Sequence, residues 1–534
     1  MFFLNNNKYD IIIIGGGITG LFLTYKLCET DLDILLVEST NKLGGRIQTI
    51  YKDNMNYEAG AARFHETHSK LITLIHELNL SDKIIQLSND IHFHLRGYNN
   101  DKNYSTHILN DKLNYENLLK RSYDMKDKYD NKILRNITFF QYLCMIFDYE
   151  RAEFIKDSFG YDSEFYELNS EAALEMFQDD FIMNNKNYYC LKNGLSEIIH
   201  KLEDRIQNYK NVKIIKNCHV ENIIENGIIT KHGTYYFNKL ICTIPRNSLK
   251  KIKIFNEMKE LDTVENIPLL RIYFKYPKDK IWFKNMKRTI TNNHIRHIIP
   301  IDIENGLIMI SYIDGKLSKD WDNIYKNNDD FLIEMIHNEI YMIYSIKASK
   351  PEFVSYHLCN EGIHFWKPGV SMIDSYFKIL RPFKDKNIFI GGESYCRKQG
   401  WIEGCLDNCY DILKLLDLSN IEINLDKDYD LNLLNKKKLK EYTIQDVLKH
   451  KNWIIIEYNH KKFIYNLSNW IHKHPGGDII MKGIYSNKYY LDKIKYPQSP
   501  IMLFNEIHKH KDSNVFENYF LKENEHVKLI GILK

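Results

Sequence analysis

The stretch from Tyr9 to Glu38 constrains the fold most. Asp10 to Ile14 reads as a strand and Gly15-Gly16-Gly17-Ile18-Thr19-Gly20 as a glycine turn, followed by a helix over Leu21 to Glu29 and a second strand over Ile34 to Val37. This spacing predicts a βαβ unit. Gly15 permits a tight turn, Gly17 lets the backbone approach a pyrophosphate, and Gly20 lets the helix pack on the strand. The free N–H groups of the helix start face the phosphates. Glu38 closes the second strand 18 residues after Gly20. A carboxylate there accepts hydrogen bonds from a ribose and repels a 2′-phosphate. A glycine fingerprint alone is weak, but here strand, turn, helix, strand and acid all occur in sequence, and dinucleotide binding follows.

The chain is 534 residues long, beyond the roughly 250 to 300 at which one core stops growing, so two or three packed units are expected. Its 73 Lys and Arg against 70 Asp and Glu leave a net charge of +3, which gives no footprint for nucleic acid or a membrane surface. Nine cysteines stand singly, without a CxxC pair, as expected for reduced thiols. Cys405 and Cys409 share a helical spacing, but no His or Cys cluster completes a zinc site, and packing is the better reading. Met1 to Asp10 is too short and polar for a signal peptide, and no apolar run reaches the roughly 18 residues of a membrane span. These features point to a soluble, non-secreted, cytoplasmic protein of unspecified oligomeric state.

Leu43-Gly44-Gly45-Arg46 follows the acidic strand end, and Tyr57-Glu58-Ala59-Gly60-Ala61-Ala62-Arg63-Phe64 comes next. Ile388-Phe389-Ile390-Gly391-Gly392-Glu393-Ser394 later precedes Gln399-Gly400-Trp401-Ile402-Glu403-Gly404-Cys405. With these motifs the sequence resembles the flavin amine oxidases, a family that includes monoamine, polyamine and L-amino-acid oxidases and histone lysine demethylases. Asn193-Gly194-Leu195, the strand around Val220 and Cys242-Thr243-Ile244-Pro245 resemble its middle segments, so the likeness spans about residues 9 to 416.

The resemblance implies an α/β Rossmann-like FAD-binding domain (1–60, 185–260, 380–418) and an α+β substrate domain (61–184, 261–379), together the amine oxidase fold. FAD would be held by Gly15, Gly17, Gly20, Glu38, Gly45 and Arg46 around the pyrophosphate and ribose, by the Val220 backbone at the adenine, and by Glu393 at the ribityl chain, with Arg63 also counted among its contacts. Trp401, beside Gly400 at the substrate site, stands where relatives place an aromatic wall next to the flavin; His364 and Trp366 are candidates for the opposite wall. No counterpart of the family's flavin-linking cysteine is found near Trp366, so noncovalent FAD is expected. His65 and His68 read as residues opening a helix.

Arg63 resembles the arginine that pairs with the substrate carboxylate in L-amino-acid oxidases, and a planar guanidinium suits that bidentate contact. It favours amino acids over simple amines. Pro268-Leu269-Leu270-Arg271-Ile272-Tyr273 matches the strand on which relatives carry a lysine near flavin N5; here Arg271 keeps the charge without the compact ammonium.

Ile421 to Lys440 is charged and low in aromatics, and reads as a linker over 419–440. Beyond it, Trp453-Ile454-Ile455-Ile456, Phe463-Ile464-Tyr465-Asn466 and His474-Pro475-Gly476-Gly477 resemble the cytochrome b5 family over 441–534. That resemblance implies a small α+β domain clamping haem b between His474 and a second histidine, with His510 preferred over His508. A module that has lost haem and serves for docking is the alternative.

The expected function is oxidation of a carbon–nitrogen bond in a small amino acid or amine, with O2 or the internal haem as electron acceptor. Polyamine or peptidyl-lysine oxidation and a noncatalytic flavoprotein scaffold remain the alternatives.

Overall fold

Alternation along Lys8–Ile14 builds the first layer. Ile11 and Ile13 enter the core beneath the helix Ile18–Leu27, whereas Ile12 and Ile14 enter the core on the opposite face, all four at most 4 % exposed. A strand buried on both faces reads as a continuous apolar run, and burying each isoleucine contributes about 1.5–3 kcal/mol. The computed structural model describes residues 7–100, 114–178 and 187–416, together with 440–442, 446, 453–458, 461–466 and 528–533.

The first unit, Met1–Leu425, holds two large sheets. In one, the order is Val212–Ile215, Ile34–Val37, Lys8–Ile14, Gly233–Cys242, Gly227–Thr230 and Val220–Ile224, with Ile388–Ile390 also pairing Gly233–Cys242. Its first three strands and the Ile388–Ile390 contact are parallel, so the glycine turn lies at the carboxyl end of a central strand, where such sheets bind ligands. In the other sheet the order is Phe353–Trp366, Val264–Lys275, Leu307–Asp314, His297–Asp302, Arg288–Thr291, Ile91–Leu95 and Tyr98–Asn100. Helices such as Phe139–Ile146, Tyr149–Phe159 and Ser170–Met176 pack in the same unit. A three-stranded sheet, Phe64–His65, Tyr188–Leu191 and Ile84–Gln86, brings the segment after Arg63 against Tyr188.

The second unit, Asp426–Lys534, contains a four-stranded sheet among its described residues, in the order Lys440–Tyr442, Lys528–Leu533, Lys461–Asn466, Trp453–Tyr458. Both strand segments read from the sequence are therefore paired with one another. His474, His508 and His510 lie outside the described residues. Among the described residues no helix is long and apolar enough to cross a membrane.

Candidate active site

The glycine turn has three distinct positions. Gly15 has φ +108, and a side chain there would meet Thr243 Oγ1 at 2.7 Å. At Gly20 an added Cβ would lie 2.0 Å from the Gly15 carbonyl oxygen, so helix and strand touch through backbone alone. Gly17 differs: a Cβ there would find nothing within 4 Å. Open space thus faces the start of the helix Ile18–Leu27, whose first turn carries no acidic residue, and an anion is the natural occupant.

Glu38 closes one side of this space. One carboxylate oxygen accepts the Gly16 N–H at 2.8 Å and the other accepts the Thr40 N–H at 2.8 Å. The Cys218 N–H donates to the Glu38 carbonyl and the Asn217 N–H to the Thr40 carbonyl, each at 2.8 Å, laying the approach to buried Val220 beside the acid. The Gly44 N–H donates to the Gly16 carbonyl at 2.8 Å, and Gly45 lies within 3.5 Å of Gly17, measured from its built Cβ position to the Gly17 Cα. A loop 28 residues downstream of Gly16 therefore walls the same space. Glycine cradle, free helix start and ribose-side carboxylate together fit the diphosphate half of FAD.

Arg46 crosses to the other end of the chain. Its guanidinium pairs with Glu393 at 2.6 Å and donates to the carbonyls of Glu361 and Gly362 at 3.3 and 3.2 Å. Glu393 also accepts from the His364 and Gly400 N–H groups at 2.9 and 3.1 Å and bonds His364 Nδ1 at 2.8 Å. Burial pushes the Glu393 carboxyl up, but the Arg46 charge, with His364, overrides it and brings the carboxyl down to about 2. A group titrating near 4.5 when unfolded and about 2 when folded stabilises the fold fully above the first value and ceases to do so as pH falls towards the second. The stability gap between wild type and Glu393→Gln should therefore be about 3 kcal/mol at neutral pH and close between pH 4.5 and 2. Denaturant titrations across that range measure it; a gap independent of pH would refute the pairing.

The candidate substrate end lies around Trp401. Its ring is nearly parallel to Tyr188 at 19°, with centroids 6.3 Å apart, and meets His68 edge-on at 4.8 Å. Arg63 stacks over the other member of this pair, its guanidinium carbon 4.6 Å from the Tyr188 ring centroid. Among the described residues no carboxylate lies in ion-pair distance of Arg63. Gly400, at φ +79, precedes Trp401 and lies against the Ile363 side chain. Arg271 donates to the Glu58 carbonyl at 3.0 Å and lies over Tyr312 at 4.4 Å. Tyr312 is its register partner on the neighbouring strand.

His364 and Trp366 do not line this region. His364 is wholly buried and tied to Glu393; Trp366 is 1 % exposed and donates to the Cys396 carbonyl. Tyr188, which sequence reasoning missed, is the aromatic partner of Trp401; its position in a strand pairing Phe64–His65 was the only local signal. His68 precedes the helix Ser69–Glu77 as read, whereas His65 belongs to the short strand Phe64–His65. Burial, with the charges of Lys398 and His65, pushes the His68 imidazole well below its ordinary range.

The sequence pattern described as "Flavin containing amine oxidoreductase" matches residues 18–408. Flavin-containing amine oxidase A of Canis lupus familiaris is 27 % identical over 95 residues, covering 18 % of each chain. Flavin-containing amine oxidase B of Rattus norvegicus is 32 % identical over 90 residues, 16 % of this chain and 17 % of its own length. The matched segments thus span less than a fifth of these relatives. A redesigned putrescine oxidase structure superposes with a TM-score of 0.60 at 13 % identity, covering 77 % of this chain and 99 % of its own, which shows a shared fold.

Proposed function

The chain belongs to the family of flavin containing amine oxidoreductases, and on that premise we propose that it binds FAD noncovalently and oxidises the carbon–nitrogen bond of an amino acid. One observation carries the substrate reading: Arg63, without a carboxylate partner among the described residues, lies on Tyr188 beside Trp401. Bound FAD would accept a hydride from the carbon bearing nitrogen, leaving an imine that water hydrolyses to a carbonyl compound and ammonia. Gly15, Gly17 and Gly20 would shape the turn for the diphosphate and Gly45 and Arg46 would flank it; Glu38 would take the ribose, the Val220 backbone the adenine and Glu393 the ribityl chain.

Arg63 fixes the substrate carboxylate, while Gly400, Trp401 and Tyr188 hold the amine-bearing carbon away from bulk water; orientation of this kind supplies much of such catalysis. Arg271 holds a fixed positive charge near the reacting region. The cationic side chains Arg63 and Arg271 oppose a polycationic amine, which weighs against polyamine or peptidyl-lysine oxidation.

Purified protein is expected to release FAD into solution on acid precipitation, and its flavin absorbance to bleach anaerobically with amino acids. Flavin that no amino acid or amine bleaches would leave the noncatalytic scaffold. The electrons would then go to O2 or, on the likeness of the C-terminal segment to cytochrome b5, to a haem b that His474 with His510 or His508 would hold. A reduced haem spectrum following flavin bleaching is expected of the second route; a protein that neither carries nor takes up haem would leave O2.

A further inference from the structure

His364 does not line the surroundings of Trp401, yet it is a wholly buried polar side chain. Its Nδ1 stands 2.8 Å from Glu393 Oε2, and its backbone N–H donates to Oε1 of the same carboxylate at 2.9 Å. One residue thus grips both oxygens. Glu393 is ionised at neutral pH, and an ionised carboxylate only accepts, so Nδ1 carries the proton. Among the described residues Nε2 has no hydrogen-bond partner; Glu361 Oε1 lies 3.9 Å from it and accepts the Asn247 N–H at 2.9 Å. Burying a polar atom without a partner costs free energy, and a leucine would fill a similar volume without that cost. The hydrogen bond to Glu393 is therefore what the imidazole contributes.

The grip is rigid. His364 stands in the strand Phe353–Trp366, opposite Asn266 of Val264–Lys275, and groups carried on paired strands hold their geometry better than groups on loops. Two residues on, and so on the same face, Trp366 donates its backbone N–H to Gln399 Oε1 at 3.1 Å and its indole N–H to the Cys396 carbonyl at 3.2 Å. Gln399 in turn donates to the Ser394 carbonyl at 2.7 Å. The end of this strand thereby holds the segment from Glu393 to Gly400, which joins the Gly391-Gly392 turn to Trp401. Arg46 also reaches Glu393 Oε2, at 2.6 Å, so removing the imidazole leaves the buried carboxylate paired with a cation.

Resting on the FAD reading above, we propose that His364 is a positioning residue for the cofactor: it sets the Glu393 carboxylate in the orientation that meets the ribityl hydroxyls. A glutamate left free must be ordered when its ligand arrives, and that ordering weakens binding. The imidazole and backbone N–H of His364 order it beforehand. His364 thus serves the ribityl end, and the glycine cradle for the diphosphate is independent of it.

The test titrates the full chain, depleted of flavin by dialysis, with FAD and with ADP, which has the diphosphate but no ribityl chain. His364→Leu should weaken FAD binding by about 10- to 100-fold, the effect of one hydrogen bond to a charged group, and leave ADP binding as in wild type. His364→Asn should recover most of the loss, because its amide nitrogen stands where Nδ1 stood; His364→Gln, whose amide extends to the Nε2 position, should not. In a Glu393→Gln background, His364→Leu should cost FAD binding about twofold or less, since the carboxylate that it orients is gone. Circular dichroism and thermal midpoints report folding, and the Asn and Gln pair carries the test if the leucine variant is unstable. Unchanged FAD affinity in the leucine or glutamine variant, equal losses for FAD and ADP, or additive losses in the double variant overturn this proposal alone. A wild-type chain that takes up no FAD overturns the FAD reading and this proposal with it.

Discussion

Gly17→Val should yield a folded protein that carries no FAD, where wild type should carry about one per chain. The contrast with Gly20 makes this specific. A Cβ at Gly20 would strike the Gly15 carbonyl at 2.0 Å, so substitution there damages the fold; a Cβ at Gly17 meets nothing within 4 Å. Gly17 has φ −73, an ordinary value for any L-residue. Its lack of a side chain therefore has no steric reason within the protein, and the space it leaves is what a pyrophosphate approaching the helix start requires. Valine would fill that space with two methyl groups. The measurement is flavin absorbance against protein concentration, with circular dichroism and thermal denaturation to verify folding. A folded Gly17→Val chain that retains stoichiometric FAD would defeat the assignment of the cradle.

Arg63→Ala should cost about 2 to 5 kcal/mol in transition-state stabilisation for a carboxylate-bearing substrate, the range for truncating one partner of a buried charge pair. This corresponds to a fall in kcat/KM of roughly 30- to several thousand-fold. Decarboxylated analogues should lose little, because they offer nothing for the guanidinium to hold. The split between the two substrates separates recognition from structure: Arg63 also stacks on Tyr188, which stacks on Trp401, so a packing role would lower both rates alike. Arg63→Lys is expected to recover only part of the loss, since an ammonium keeps the charge but not the fork.

Among the described residues Arg46 has a carboxylate partner and Arg63 has none. Arg46 joins the segment after the second strand to Glu393, 347 residues later, and so ties the two terminal motifs together. Arg63, on a loop 17 residues further along, has no carboxylate in ion-pair distance among the described residues, which is what suits it to the proposed substrate contact.

What the sequence determined by itself was the glycine turn and the βαβ unit around it. Gly15, Gly17, Gly20 and Glu38 act through the geometry of one short βαβ unit, and backbone conformations and helix ends of that kind are written in local spacing. The strand Lys8–Ile14 was equally legible, because four successive isoleucines suit a strand covered on both faces. Only the tertiary structure decided the walls of the substrate region. Trp366 and His364 carry the right residue types, yet the end of their strand lies under the Glu393 loop and the Asn169 segment, whose N–H donates to the Trp366 carbonyl at 2.9 Å, and both are buried away from it. Tyr188 came beside Arg63 and Trp401 through the pairing of its strand with Phe64–His65. An unpaired guanidinium is a property of what surrounds it in space. No spacing along the chain encodes which side chains surround Arg63, so its lack of a carboxylate partner among the described residues emerged only when the strands were assembled.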